Sequence, residues 1–179
     1  MKIVYAGLLG VAQDILGIVQ NIDFRKLGVE LHIYGAGNQA QAIEDYCKDE
    51  SKQVNYHGVV SKSEMNGILR GYDASLIPLA KSIKGAVPSK IFDIMPLRVP
   101  ILYCGSGEAA DIVRDYGIGL VCDSLDYEGL KRNIIEMRDM TADEKEAMCN
   151  RCTEASQTDF HYGKQMDACM EFITKIVGK

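Results

Sequence analysis

Six short apolar runs, each leading into a stretch of helical spacing, constrain this chain more than any other feature of its sequence. The runs are KIVYAG (2–7), VELHIYGAG (29–37), VNYHG (54–58), DASLIPL (73–79), VPILYCG (99–105) and IGLVCD (118–123). Helical stretches fall between them, around 12–22, 38–48, 61–70, from Ser89, and at 107–115. Three more follow the last run, at 126–138, 142–155 and 162–177. Strands that alternate with helices predict βαβ units and a parallel sheet covered on both faces. The strand centres LHIY, SLIP and PILY are continuous rather than alternating, as burial on both sides requires. The expected fold is one doubly wound, six-stranded, Rossmann-like α/β domain over residues 1–179, with extra carboxyl-terminal helices. Two helix starts are written as capping boxes, Ser61 with Glu64 and Thr141 with Glu144.

Apolar residues make up 47% of the chain and charged residues 25%, so a single core needs no disulfides or metal to hold it. The formal charge of −5 disfavours a nucleic-acid partner but leaves room for a local basic pocket. No apolar run approaches the roughly 20 residues that span a bilayer, and no signal peptide opens the chain. The expected location is the cytoplasm, with the six cysteines reduced. Cys149 and Cys152 form one CxxC within a helical pattern, without the further ligands a zinc site needs. No metal and no cofactor are expected.

In a doubly wound sheet, ligands bind beyond the carboxyl ends of the strands. The loops there are 7–11, 35–38, 58–61, 79–89, 104–107 and 122–126. GAGNQA (35–40) fits G-x-G-x-x-A, a dinucleotide signature. However, it follows the second strand, and the next strand ends without an acid for a ribose. Its glycines, Gly35 among them, serve equally well for a tight turn and close packing. YAGLLG (5–10) gives a second turn at Gly7, able to offer N–H groups to a phosphate or simply to reverse the chain. His57 is a pocket-wall candidate, and His32 and His161 read as structural. The methionines at 137, 140, 148, 166 and 170 read as core or interface fillers.

The stretch PLAKSIKGAVPSKIFDIM (78–95) carries the most chemistry. On a helix beginning at Ser89, the residues Ser89, Lys90 and Asp93 share an arc of about 100°. Ile91, Phe92, Ile94 and Met95 cover the opposite side. Lys81, Lys84 and Lys90 gather near a helix amino end, which suits a pyrophosphate. Asp93, one turn further in, suits a ribose diol. The plain alternative is a Lys90–Asp93 surface pair worth under about 1 kcal/mol.

Taken in order, these segments resemble the carboxyl-terminal, nucleotide-sugar-binding half of a GT-B glycosyltransferase of the group-1 (GT4-type) family. The likeness runs from YAGLLG through VNYHGVVSKSEMNGILRGYDASLIPL and VPSKIFDIMPLRVPIL to DIVRDYGIGLVCDSLDYEGLKRNI. Its PSK version is similar to bacterial polysaccharide and O-antigen transferases. The resemblance implies a retaining hexosyltransferase that takes a UDP- or GDP-sugar, with Asp93 on the ribose. It places Gly58, Val59 and Val60 beside the base, and Ser89 and Lys90 by the diphosphate and donor sugar. It also implies a metal-independent reaction.

Departures accompany the likeness. Gly85 stands where the family often carries a first acid. Leu8 and Gln13 stand where many members carry an Arg and a Lys on the diphosphate, a loss for which Lys81, Lys84 or Lys90 can compensate. The chain begins at the first strand of the second domain, so an excised piece lacking its amino-terminal acceptor domain is expected, inactive alone. That domain would be the partner of helix 162–177, and would carry any peripheral membrane contact; without it, a weak homodimer through this helix is the expectation. A sugar-nucleotide epimerase half and a non-catalytic nucleotide-binding or interaction module are the alternative readings.

Overall fold

The computed structural model describes residues 1–81 and 85–178. Six strands, β1 (Lys2–Ala6), β2 (Glu30–Tyr34), β3 (Val54–Tyr56), β4 (Ala74–Pro78), β5 (Ile101–Cys104) and β6 (Gly119–Cys122), form one sheet. All neighbours are parallel, in the order β3-β2-β1-β4-β5-β6. The direction of winding therefore reverses between β1 and β4, which opens a crevice at their carboxyl ends. The central strands β4 and β5 are buried along their whole length, as their unbroken apolar runs predict.

One face of the sheet is covered by α1 (Ile15–Asn21), α2 (Ala40–Cys47) and α6 (Tyr127–Asp139), which bring Ile18, Ile43 and Leu130 into a first core. The other face carries α3 (Lys62–Leu69), α4 (Lys90–Ile94), α5 (Glu108–Asp115) and part of α7 (Ala142–Gln157), with Leu69, Ile91, Val113 and Cys152 in a second. Both capping boxes form, with the Ser61 and Thr141 hydroxyls accepting from the Glu64 and Glu144 amides. Met137 and Met148 lie in the first core, whereas Met166 and Met170 are exposed on α8 (Tyr162–Val177).

Two helices are shorter than their sequence pattern. The first begins at Ile15 rather than near residue 12, because Gln13 and Asp14 both donate to the Gly10 carbonyl and Asp14 takes a left-handed turn (φ 51°). The helix after Ser89 is α-helical only to Ile94 and tightens to a 3-10 turn over Met95–Leu97, closed by Arg98 at φ 63°. Pro96 within that turn has no N–H to continue the α ladder. Among the described residues no helix is long and apolar enough to cross a membrane.

Candidate functional site

The first two loops are locked together through their backbones. Gly7 N–H donates to Tyr34 O (2.9 Å), Leu9 N–H to Ala36 O (2.8 Å), and Gln39 N–H to Leu9 O (3.0 Å). Gly35 N–H in turn donates to Gly58 O (2.7 Å). A β-carbon on Gly35, at φ +143°, would strike the Gly7 carbonyl, and one on Gly37 would strike that of Leu9. The glycines of GAGNQA are thus explained by close approach of two loops. The amides of Gly7 and Gly35 are spent inside the fold, which removes the N–H-to-phosphate reading for these two groups.

Beside this lock lies a cavity of about 470 Å³, whose lining includes Gly7, Leu8, Gly35, Val59, Val60 and Met65. Four residues singled out from sequence therefore meet in one place, and Gly58 (φ +69°) turns the chain into it. The wall is largely apolar, and Lys62 is the one cation among its described lining residues. Leu8, 62% exposed, faces the space where an arginine was the family expectation. Gln13 folds against its own turn, with Oε1 buried and unpartnered.

Lys90 reaches this wall from the other side of the crevice. Its Nζ lies 4.8 Å from the centre of the Tyr5 ring, in the space that a side chain on Gly7 would fill. Tyr5 is held in place by donating its hydroxyl to Leu8 O at 2.5 Å. Burial pushes the Lys90 pKa below that of an ordinary lysine, and the Asp93 carboxylate offsets part of that shift. The two form no ion pair within 4 Å, so the surface-pair alternative does not describe them. A half-buried ammonium over an aromatic face is attracted by the ring but keeps its capacity for an anion.

Asp93 is exposed and lines a separate concavity of about 820 Å³ with Phe92, Phe160 and Tyr162. Ser89 is exposed at the start of α4, where its carbonyl accepts from Phe92 and Asp93. Lys81 is exposed, and Lys84 lies outside the described residues. The loop that carries these residues is tied to the first loop by Ala80 N–H donating to Ala12 O (2.8 Å).

One cluster escaped the sequence reading. His32 bridges Glu30 (3.1 Å) and His57 (2.9 Å) through its two ring nitrogens. His57 also stacks on Tyr34, with ring centres 4.5 Å apart, and Tyr34 meets Tyr72 through their hydroxyls (2.9 Å). Period-two spacing put Glu30, His32 and Tyr34 on one side of β2, but only the β2–β3 register brings His57 to them. Burial, then the neighbouring His32, lowers the His57 pKa. His161 is structural, capping α8 by accepting from Lys164 N–H. Among the described residues no group of three or more His, Cys, Asp or Glu is placed to hold a metal ion.

The family model of the glycosyl transferases group 1 matches residues 3–139. The chain belongs to that family. No curated protein matches this chain in sequence. Solved structures share its fold at low identity. The pneumococcal O-GlcNAc transferase GtfA, in complex with UDP and GlcNAc, superposes with a TM-score of 0.74 at 11% identity, covering 99% of this chain and 36% of GtfA. WaaG, a glycosyltransferase involved in lipopolysaccharide biosynthesis, gives 0.69 at 12% identity, covering 88% of this chain and 42% of WaaG. The catalytic domain of cholesterol-α-glucosyltransferase from Helicobacter pylori gives 0.63 at 12% identity, covering 88% of this chain and 98% of that one. The chain thus spans less than half of WaaG and of GtfA. Its six-stranded parallel sheet is the Rossmann-like unit of a GT-B fold, consistent with the carboxyl-terminal half.

Proposed function

We propose that this chain is the donor-binding domain of a retaining hexosyltransferase that uses a UDP- or GDP-sugar in polysaccharide or O-antigen assembly. The observation that carries the reading is the Lys90 ammonium, seated against Gly7 at the edge of the cavity formed with Gly35, Val59 and Val60. The base would enter that cavity beside Gly58, Val59 and Val60, and the diphosphate would lie against Lys90, with Ser89 nearby. Asp93 would take the ribose hydroxyls by turning from its present concavity toward the first loop, a rotation open to an exposed side chain. Charge stabilisation of the departing nucleoside diphosphate would be the domain's main chemical contribution. The UDP bound to the structurally similar GtfA supports the choice of ligand. An amino-terminal acceptor domain would complete the enzyme and cover the apolar side of α8.

A second reading, a non-catalytic nucleotide-binding or interaction module, is favoured by Leu8 on the cavity wall and by Gly85 in place of an acid. Titration calorimetry with UDP, GDP, ADP and NAD tests both. Binding of UDP or GDP that weakens when Lys90 is replaced supports the donor reading. Failure of all four ligands to bind rejects it, and binding of NAD alone would restore the dinucleotide reading of GAGNQA.

A further inference from the structure

Cys104 ends β5 and Cys122 ends β6, and the parallel ladder sets them directly opposite each other. Adjacent strands run about 4.8 Å apart, within the roughly 4.4–6.8 Å between α-carbons that a disulfide spans. Residues paired in this way point to the same face, and both cysteines belong to the core beneath α1 and α6. They are 5% and 7% exposed. The neighbouring Cys122 and burial hold the Cys104 thiol protonated, while Cys104 lowers the Cys122 pKa; the Cys122 thiol donates to Tyr103 O at 3.8 Å. A crevice of about 10 Å³, the room of one water, reaches Cys104 between Leu79, Leu125 and Tyr127. On α7, the Cys152 thiol is turned to the carbonyls of Val99 and Ile118, and burial pushes its pKa up.

We propose that Cys104 and Cys122 are a reversible redox pair, closed to a disulfide by hydrogen peroxide arriving at the carboxyl edge of the sheet. One sulfur of the pair, as its thiolate, attacks one peroxide oxygen, the O–O bond breaks, and hydroxide leaves and takes up the thiol proton as water. The second sulfur, losing its proton, then displaces hydroxide from the resulting sulfenic acid. Two thiols lose two electrons between them, and one peroxide becomes two waters. The strand ends that would be drawn together also anchor the loops above: Leu79 N–H donates to Cys104 O and Gly105 N–H to Cys122 O, both at 2.9 Å. The first of these roots the 79–89 segment. On the donor reading proposed above, on which this consequence rests, closure weakens UDP binding.

The test uses the full chain, reduced, freed of reductant, treated with graded peroxide, alkylated after unfolding and mapped by mass spectrometry. The expected result is a Cys104–Cys122 linked peptide lighter by two hydrogens, reversed by dithiothreitol, absent from Cys104→Ala and Cys122→Ala and retained in Cys169→Ala. Both thiols remaining alkylable at doses that oxidise the exposed Cys169 would overturn the pair, as would linkage of either to a third cysteine. UDP titration is read separately. Unchanged affinity in the linked form overturns the coupling, while absence of UDP binding in both forms rejects the donor reading and leaves the redox pair decided by mass alone.

Discussion

The ammonium of Lys90 stands where the side chain of residue 7 would be, so Gly7 is a socket for a cation as much as a turn residue. Three elements converge to build it: β1 supplies the Tyr5 ring, the first loop supplies the gap, and α4 delivers the charge. The cation is half-buried, with its Nζ 4.8 Å from the centre of an aromatic ring. Such a group gains from an anionic ligand more than a fully solvated lysine would.

Gly7→Ala puts a methyl group into the socket and pushes out the end of a flexible side chain. Stability should fall by only about 1 kcal/mol, because the Lys90 end can move and the Tyr5 hydroxyl, 3.1 Å from the new β-carbon, need give only slightly. Affinity for UDP should fall about tenfold or more, as expected for losing a charge-assisted hydrogen bond worth ~1.5–3 kcal/mol. Thermal unfolding and calorimetry on the same preparation separate the two effects.

Gly35→Ala should behave in the opposite way. Its new β-carbon meets the Gly7 backbone at a φ of +143°, where neither partner can yield. A loss of stability of about 3 kcal/mol or more is expected from backbone strain and steric overlap together. Urea denaturation should show the midpoint falling well below that of Gly7→Ala.

Lys90→Met removes the half-buried charge while keeping the length of the stem. Thermal stability should hold or rise, and UDP affinity should fall. The depressed Lys90 pKa gives the parent protein a pH signature. Between that lowered value and about 10.4, the ordinary lysine value, the unfolded chain holds the extra proton, so stability rises with pH across the window. UDP affinity falls over the same titration as the ammonium is lost. Both slopes should flatten in Lys90→Met when followed by urea melts and calorimetry in the alkaline range.

Asp93→Ala should weaken UDP or GDP binding by about 1–3 kcal/mol if the carboxylate turns to the ribose. The fold should be undisturbed, since the side chain is exposed and makes no ion pair within 4 Å. Equal affinities by calorimetry would assign Asp93 to the Phe92–Phe160 concavity instead.

Much of the fold was legible because its signals are local. Six apolar runs became six strands, and the two S/T-x-x-E patterns became two helix starts. The candidate site was legible as a set of loops, since the carboxyl edge of a parallel sheet follows from topology. What the sequence could not give were relations set by register or by side-chain reach. Cys104 and Cys122 are eighteen positions apart and adjacent only through the β5–β6 ladder. The His32–His57 link depends likewise on β2 lying against β3. Lys90 and Asp93 share an arc of α4, yet one stretches its stem across to β1 while the other stays in solvent, a difference that helical periodicity does not encode. The αL turn at Asp14, which shortens α1, arises from two amides competing for the Gly10 carbonyl.

The last helix has a consequence for how the molecule opens. None of the residues of α8 is buried, while Tyr162, Met170, Phe172, Ile176 and Val177 turn large apolar surfaces outward. Its amide protons are therefore held by helical hydrogen bonds alone, without the packing that couples the sheet into one cooperative unit. Hydrogen exchange in the isolated chain should release the α8 amides early and together, while those of β1, β4 and β5 persist until global unfolding.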